Sequence, residues 1–195
     1  MAYDAAKKLL WIGDAYGPLL LKVSSTTGGE LKRYQPGGGA DVGALPAVLA
    51  LRRANRGLTG LCLDNTTGRL HGVLAGALDP LVGADGAPAT EGGKRVGDYA
   101  PFVRWLEFDP ATEASSVYVL PIDTEGMLGL VGPGAAANGW PALVTFADLV
   151  CLGGGKFVIL VEAASPVTPT GPAVAHALYV AQVPAHQPQT LNPEP

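Results

Sequence analysis

The feature that most limits what this chain can fold into is the frequency with which its backbone is interrupted. Its 195 residues include 27 Gly and 17 Pro, and these fall between short apolar runs. Gly and Pro are the two poorest helix residues, so long helices cannot run through such punctuation. Short strands joined by turns can. The runs are Lys8–Asp14, Leu19–Ser24, Leu31–Tyr34, Leu58–Leu63, Arg69–Ala75, Phe102–Phe108, Ser116–Leu120, Phe146–Leu152, Lys156–Glu162 and His176–Val183. Polar or Gly-rich turns separate several pairs, among them Asp64–Gly68, Asp109–Glu113 and Gly153–Gly155. The expected fold class is all-β, built of antiparallel sheets with long Gly/Pro-rich loops.

Four stretches stand outside that pattern. Asp41–Ala54 has helical composition around Leu45–Arg53, and a short helix or a loop both fit it. Val82–Tyr99 and Ile122–Pro141 read as surface loops. Residues 185–195 are polar and Pro-containing and are expected to form a disordered tail behind a domain at 1–184.

Hydrophobic residues make up 48% of the chain, enough for a sizeable core. Net charge is −4 and the pI is about 5.3, so the basic footprint of a nucleic-acid partner is missing. The longest apolar region, Ala142–Ala164, contains Asp148, three consecutive Gly and Lys156, and does not read as a membrane span. Met1–Gly17 does not read as a signal peptide, because Asp14 breaks its apolar run; localisation stays open. Asn65-Thr66-Thr67 is a glycosylation sequon, relevant only to a secreted chain. Cys62 and Cys151 both lie in apolar runs. Buried free thiols are the first expectation for them, and a disulfide between neighbouring strands is the second. His71, His176 and His186 are scattered, and His71 lies within a strand. Trp11, Trp105 and Trp140 read as packing residues.

An internal repeat is visible. KLLWIGDAYG from Lys8, RLHGVLAGAL from Arg69 and KFVILVEAAS from Lys156 align. Each starts on a basic residue after a turn and ends on small or acidic residues. Each is followed by a second apolar motif, from Leu19, Phe102 and His176. A strand pair repeated at uneven intervals suits propeller blades, whose insertions fall in loops. A β-sandwich gives similar strand counts, and periodicity alone does not separate the two.

Four segments resemble the phytase-like propeller family, also described as having esterase-like activity of phytase. They are GDAYGP at Gly13–Pro18, NRGLTGLCLDNTTGRLHGVLAGALDP at Asn55–Pro80, RWLEFDPAT at Arg104–Thr112 and FADLVCLGGGKFVILVE at Phe146–Glu162. Their order and approximate spacing match that family over most of the chain. The resemblance implies a partial β-propeller of about three to four blades, incomplete at both ends, since six blades need roughly 250 residues. It also implies a hydrolase of phosphoric or carboxylic esters that holds Ca²⁺ on carboxylates. The sequence departs from the family pattern where a family Glu is replaced by Ala15 and another by Thr59, and where an Arg is replaced by Ala163.

The metal-ligand candidates are Asp14, Asp148 and Glu162, with Asp79 a fourth acid; hard cations take several oxygens. Asp14 and Glu162 occupy the same place in the repeat. Each acid has a plainer alternative as a turn residue accepting backbone N–H groups. Tyr16 and Arg104 are the substrate-anion candidates, the guanidinium because its planar fork suits phosphate. The alternatives are packing for Tyr16 and, for Arg104, a solvated position or pairing with Glu107 or a nearby acid. GADGAPATEGGKR lacks P-loop spacing, and there is no G-x-S-x-G elbow. Two functions therefore stand side by side. One is a metal-dependent ester hydrolase acting on a small-molecule ester. The other is a non-catalytic propeller fragment that serves as a binding or interaction module. Unpaired sheet edges point to self-association in either case.

Overall fold

Almost every apolar run set between turn residues is a strand. The structure, a computed structural model, describes residues 1–17, 19–79, 81–82, 87–91, 93–123, 144–165 and 173–182. In chain order the strands are β1 (Ala2–Asp4), β2 (Leu9–Asp14), β3 (Leu19–Ser24), β4 (Glu30–Pro36), β5 (Gly43–Leu45), β6 (Leu58–Asp64), β7 (Arg69–Leu74), β8 (Leu81–Val82), β9 (Ala87–Pro88), β10 (Thr90–Glu91), β11 (Lys94–Arg95), β12 (Phe102–Phe108), β13 (Ser115–Pro121), β14 (Val144–Gly153), β15 (Lys156–Ser165) and β16 (Ala173–Gln182). The helical turns among the described residues are 3-10, at Ala47–Leu51 and Val96–Tyr99. The protein is all-β.

Three sheets carry the fold. The first has the order β1-β2-β3-β4-β5, the second β13-β12-β7-β6 and the third β14-β15-β16. All pairings in them are antiparallel except β4 with β5. Two short ribbons, β8–β9 and β10–β11, complete the described strands, and no sheet closes on itself. The aligned repeat segments are β2, β7 and β15, each the second strand of its sheet. Their companions β3, β12 and β16 are each the third. The first strands meet: β6 packs against β14, β1 and β2.

The second sheet lies between the other two and is buried on both faces. One face of it joins Leu58, Leu61, Leu70, Leu74, Leu106 and Phe108 to Trp11, Leu20 and Tyr34 of the first sheet. Trp11, Tyr34 and Phe108 form an aromatic triangle with centroids 4.8 to 6.1 Å apart. The other face joins Cys62, Val73, Val103 and Trp105 to Phe146, Leu149, Phe157 and Ile159 of the third sheet. This double burial accounts for the near-continuous apolar run in β7, since a strand covered on both faces does not alternate. His71 sits in the second of these cores. Trp105 donates its indole N–H to His71 Nδ1 at 3.2 Å, and the imidazole packs 4.6 Å from the Phe157 ring. Burial is the main cause that holds its pKa down, so it is a neutral core residue.

Several expectations need correcting. Cys62 of β6 and Cys151 of β14 are not free thiols; they form a disulfide with a Cα–Cα distance of 5.7 Å. Two strands 89 residues apart in sequence run side by side as the inner edges of different sheets, and their apolar runs meet. Asp41–Ala54, which a short helix or a loop both fit, holds β5, then Pro46 and a short 3-10 helix at Ala47–Leu51. The stretch from Val82 to Tyr99 carries short strands and a second 3-10 turn rather than loop alone. Most of Ile122–Pro141, Trp140 and the tail at 185–195 lie outside the described residues.

Candidate functional site

Asp14 and Asp148 both lie near the start of β6. The chain approaches it through Arg52, Arg53 and Arg56 and enters it at Gly57. A Cβ on Gly57 would lie 2.4 Å from the Asp14 carbonyl oxygen and 2.5 Å from that of Gly17. The turn that carries Asp14 and Tyr16 is therefore pressed against this entry. Three residues along, a Cβ on Gly60 would lie 2.8 Å from the Asp148 carbonyl carbon. Asp14 and Asp148 thus flank β6 on opposite sides, separated by about 10 Å of strand. Thr59, between them, donates its hydroxyl to the Phe146 carbonyl of β14. Glu162 lies one strand further out, opposite Thr145 and His176, with its carboxylate 3.4 Å from His176 Nε2.

These acids share one end of the sheets without converging. Asp14 Oδ1 accepts the Tyr16 N–H at 2.8 Å, and Asp148 Oδ1 accepts the Leu149 N–H at 2.8 Å. Among the described residues no three His, Cys, Asp or Glu side chains gather in a group that holds a metal. Calcium takes six or more converging oxygens. The donor set of Asp14, Asp148 and Glu162 does not fit that requirement.

The substrate-anion candidates also lie apart. Tyr16 is 68% exposed in the turn after β2. Arg104 is in the body of β12, on the strand face that also carries Leu106 and Phe108. Its guanidinium lies 5.3 Å from the Phe102 ring centroid, and its Nε is buried with no hydrogen-bond partner. Burial holds its pKa below the usual arginine value. Glu107, the expected partner of Arg104, pairs with Arg69 instead.

The sequence reading passed over the arginines before β6. Arg53 Nε donates to Asp79 Oδ1 at 3.0 Å, and Arg95 Nη1 donates to Asp79 Oδ2 at 2.8 Å. Asp79 is 4% exposed, so it is a buried anion held between two guanidinium groups. Arg56 Nη1 donates to Thr145 Oγ1 at 2.8 Å and to the Val144 carbonyl at 3.1 Å. This side chain bolts the second sheet to the third. Burial, then the neighbouring Arg53, lowers the pKa of Arg56, while Glu162 opposes the shift.

Arg52 differs from these. It forms an isolated backbone bridge with Leu78, and its side chain turns toward the Asp14–Gly17 turn. A Cβ on Gly17 would lie 3.4 Å from Arg52 Nη2 and 4.0 Å from Asp14 Oδ2. Arg52 Nε is buried with no hydrogen-bond partner, and no ion pair holds its charge among the described residues. The sequence signal was present as LRRANRG, but nothing in the string tells which of three neighbouring arginines is left unpaired.

A concavity lies between the second and third sheets. It encloses about 390 Å³ and is lined chiefly by Leu120, Pro121, Phe146, Val161 and Tyr179, with Asp123 at one side. Burial, then Asp123, raises the Tyr179 pKa. The cleft suits apolar matter rather than an ionised ester.

The chain matches no protein-family model, and no curated protein is similar enough to match it. The residues themselves therefore carry the functional argument.

Proposed function

We propose that the three sheets are blades of a partial β-propeller related to the phytase-like family. We further propose that this chain is a binding module for a small anionic group. The blade reading is supported by the repeat, whose segments are the second and third strands of each sheet, and by the contact of β6 with β14 and β1. The observation that carries the binding reading is Arg52, with a buried Nε–H that no described residue accepts. An unsatisfied buried donor costs about 1–3 kcal/mol, more when charged. An anion seated against Arg52 removes that cost, and the guanidinium fork matches two oxygens of a phosphate or carboxylate.

The hydrolase reading has one observation in its favour, that Asp14 and Asp148 flank the start of β6. Against it, both carboxylates cap backbone N–H groups, and the Glu positions of the family pattern are Ala15 and Thr59.

Calorimetric titration with inorganic phosphate and a phosphate monoester tests both readings. The expected result is binding by the unaltered chain, its loss in Arg52→Ala, and no turnover of the monoester. Equal binding by Arg52→Ala overturns the binding site. Steady release of phosphate from the monoester restores the hydrolase.

A further inference from the structure

We infer that Asn65 is an acceptor for an N-linked glycan. Two independent observations meet at this residue. The first is covalent: Cys62 and Cys151 form a disulfide. Such bonds form and persist in oxidising compartments, on the secretory route or outside the cell, and glutathione and thioredoxin keep thiols reduced in the cytosol. The second is the placement of Asn65-Thr66-Thr67, a complete acceptor sequence with no proline in its middle position.

The triplet forms the tip of the β6–β7 hairpin. Asp64 is 1% exposed and anchors the turn: its Oδ1 accepts the Thr66 N–H at 2.8 Å, and its carbonyl accepts the Gly68 N–H at 2.7 Å. Asn65, Thr66 and Thr67 themselves are exposed. Asn65 follows Asp64, the last residue of β6, so it lies in the turn and outside the ladder. A glycan on its side-chain nitrogen displaces no packed group. The tip lies at the far end of β6 from Arg52 and Arg56, about 20 Å along the strand. The modification therefore leaves the arginine end of the sheets open.

The transfer balances as a substitution at a sugar carbon. The Asn65 amide nitrogen forms a bond to C1 of an oligosaccharide carried on a lipid pyrophosphate. The C1–O bond to the pyrophosphate breaks, the lipid pyrophosphate leaves with the electron pair, and one amide proton passes to a base of the transferase.

The test expresses the full chain behind a cleavable secretory leader in eukaryotic cells. The total pool, secreted and retained, is then treated with peptide-N-glycosidase. The expected result is a single downward mobility step, with residue 65 converted from Asn to Asp by mass. Asn65→Gln and Thr67→Ala abolish the step, and Thr67→Ser, which preserves the acceptor sequence, retains it. A chain that enters the pathway and forms the Cys62–Cys151 bond without acquiring the step overturns the inference. A step that survives Asn65→Gln does the same.

Discussion

Gly60 of β6 and Leu149 of β14 meet with no room between them: a Cβ on Gly60 would stand 2.7 Å from both the Leu149 Cβ and its backbone nitrogen. The second and third sheets therefore approach backbone to backbone at this point. Gly60→Ala should force them apart and destabilise the protein by about 1–3 kcal/mol, the usual range for overpacking. Urea denaturation of the two forms measures the difference. An unchanged midpoint would mean that the sheets slide past each other at little cost.

Asp79 is a buried anion whose two oxygens are each taken by an arginine. Asp79→Ala leaves Arg53 facing Arg95 with no carboxylate between them. Breaking a buried pair from one side costs about 3–5 kcal/mol. Arg95 is 52% exposed, so Arg95→Ala should cost much less. Thermal melts of the two variants should therefore separate clearly, with the Asp79 variant far lower.

Loss of the Cys62–Cys151 bond should cost about 2–5 kcal/mol, since the bridge closes a long loop of the unfolded chain. The comparison is the unaltered chain with the double variant Cys62→Ala, Cys151→Ala, each unfolded in urea. The unaltered chain with reductant should fall to the level of the variant.

Stability should decline as pH falls below neutrality, in two stages. His71 is held neutral, its pKa lowered from 6.5 by burial, although Glu107 and Asp64 favour the charged form. Below about 6.5 the unfolded chain takes up this proton and the folded chain does not, so stability is full above that value and is lost progressively below it. The slope reaches at most about 1.4 kcal/mol per pH unit for one proton. Asp64 acts lower. Its burial alone would raise the pKa, but the Thr66 N–H and neighbouring donors hold it below 3.8. Its contribution is present above 3.8 and is lost as pH falls through the folded value. His71→Phe should flatten the first stage and leave the second. Urea midpoints measured from about pH 8 to about pH 3 read both stages.

The third sheet should drive association at high concentration. Val174, Leu178 and Val180 of β16 are 57, 72 and 74% exposed, and Val150 and Leu152 of β14 add to the same outer face. Among the described residues no strand pairs with the free edge of β16, and such edges invite pairing. Leu178→Lys should lower the sedimentation coefficient of a concentrated sample. A monomer at every concentration, with or without the substitution, counts against association.

The strands were legible in the sequence because turn chemistry fixed where each one stopped. Gly153, Gly154 and Gly155 all hold positive φ between β14 and β15, and Asp64 with Gly68 closes the turn between β6 and β7. The adjacency of β6 and β14 was not legible. No ladder or short connection joins them, so neither the disulfide nor the bond from Thr59 to Phe146 left a local trace. The repeat pointed to Asp14 and Glu162 as equivalent positions, and Asp148 came from the resemblance. Their caps and partners could not be read, because those depend on side-chain direction. Arg52, Arg53 and Arg56 read alike as letters and separate only once Asp79 and Thr145 have taken their partners.

The bond between Cys62 and Cys151 also alters what a cut backbone means. Every peptide bond between the two residues lies inside a closed covalent ring that contains all of β7, β12 and β13. A protease that cleaves once within that ring opens it without releasing either part. The halves separate only after reduction, so this protein is nicked before it is divided.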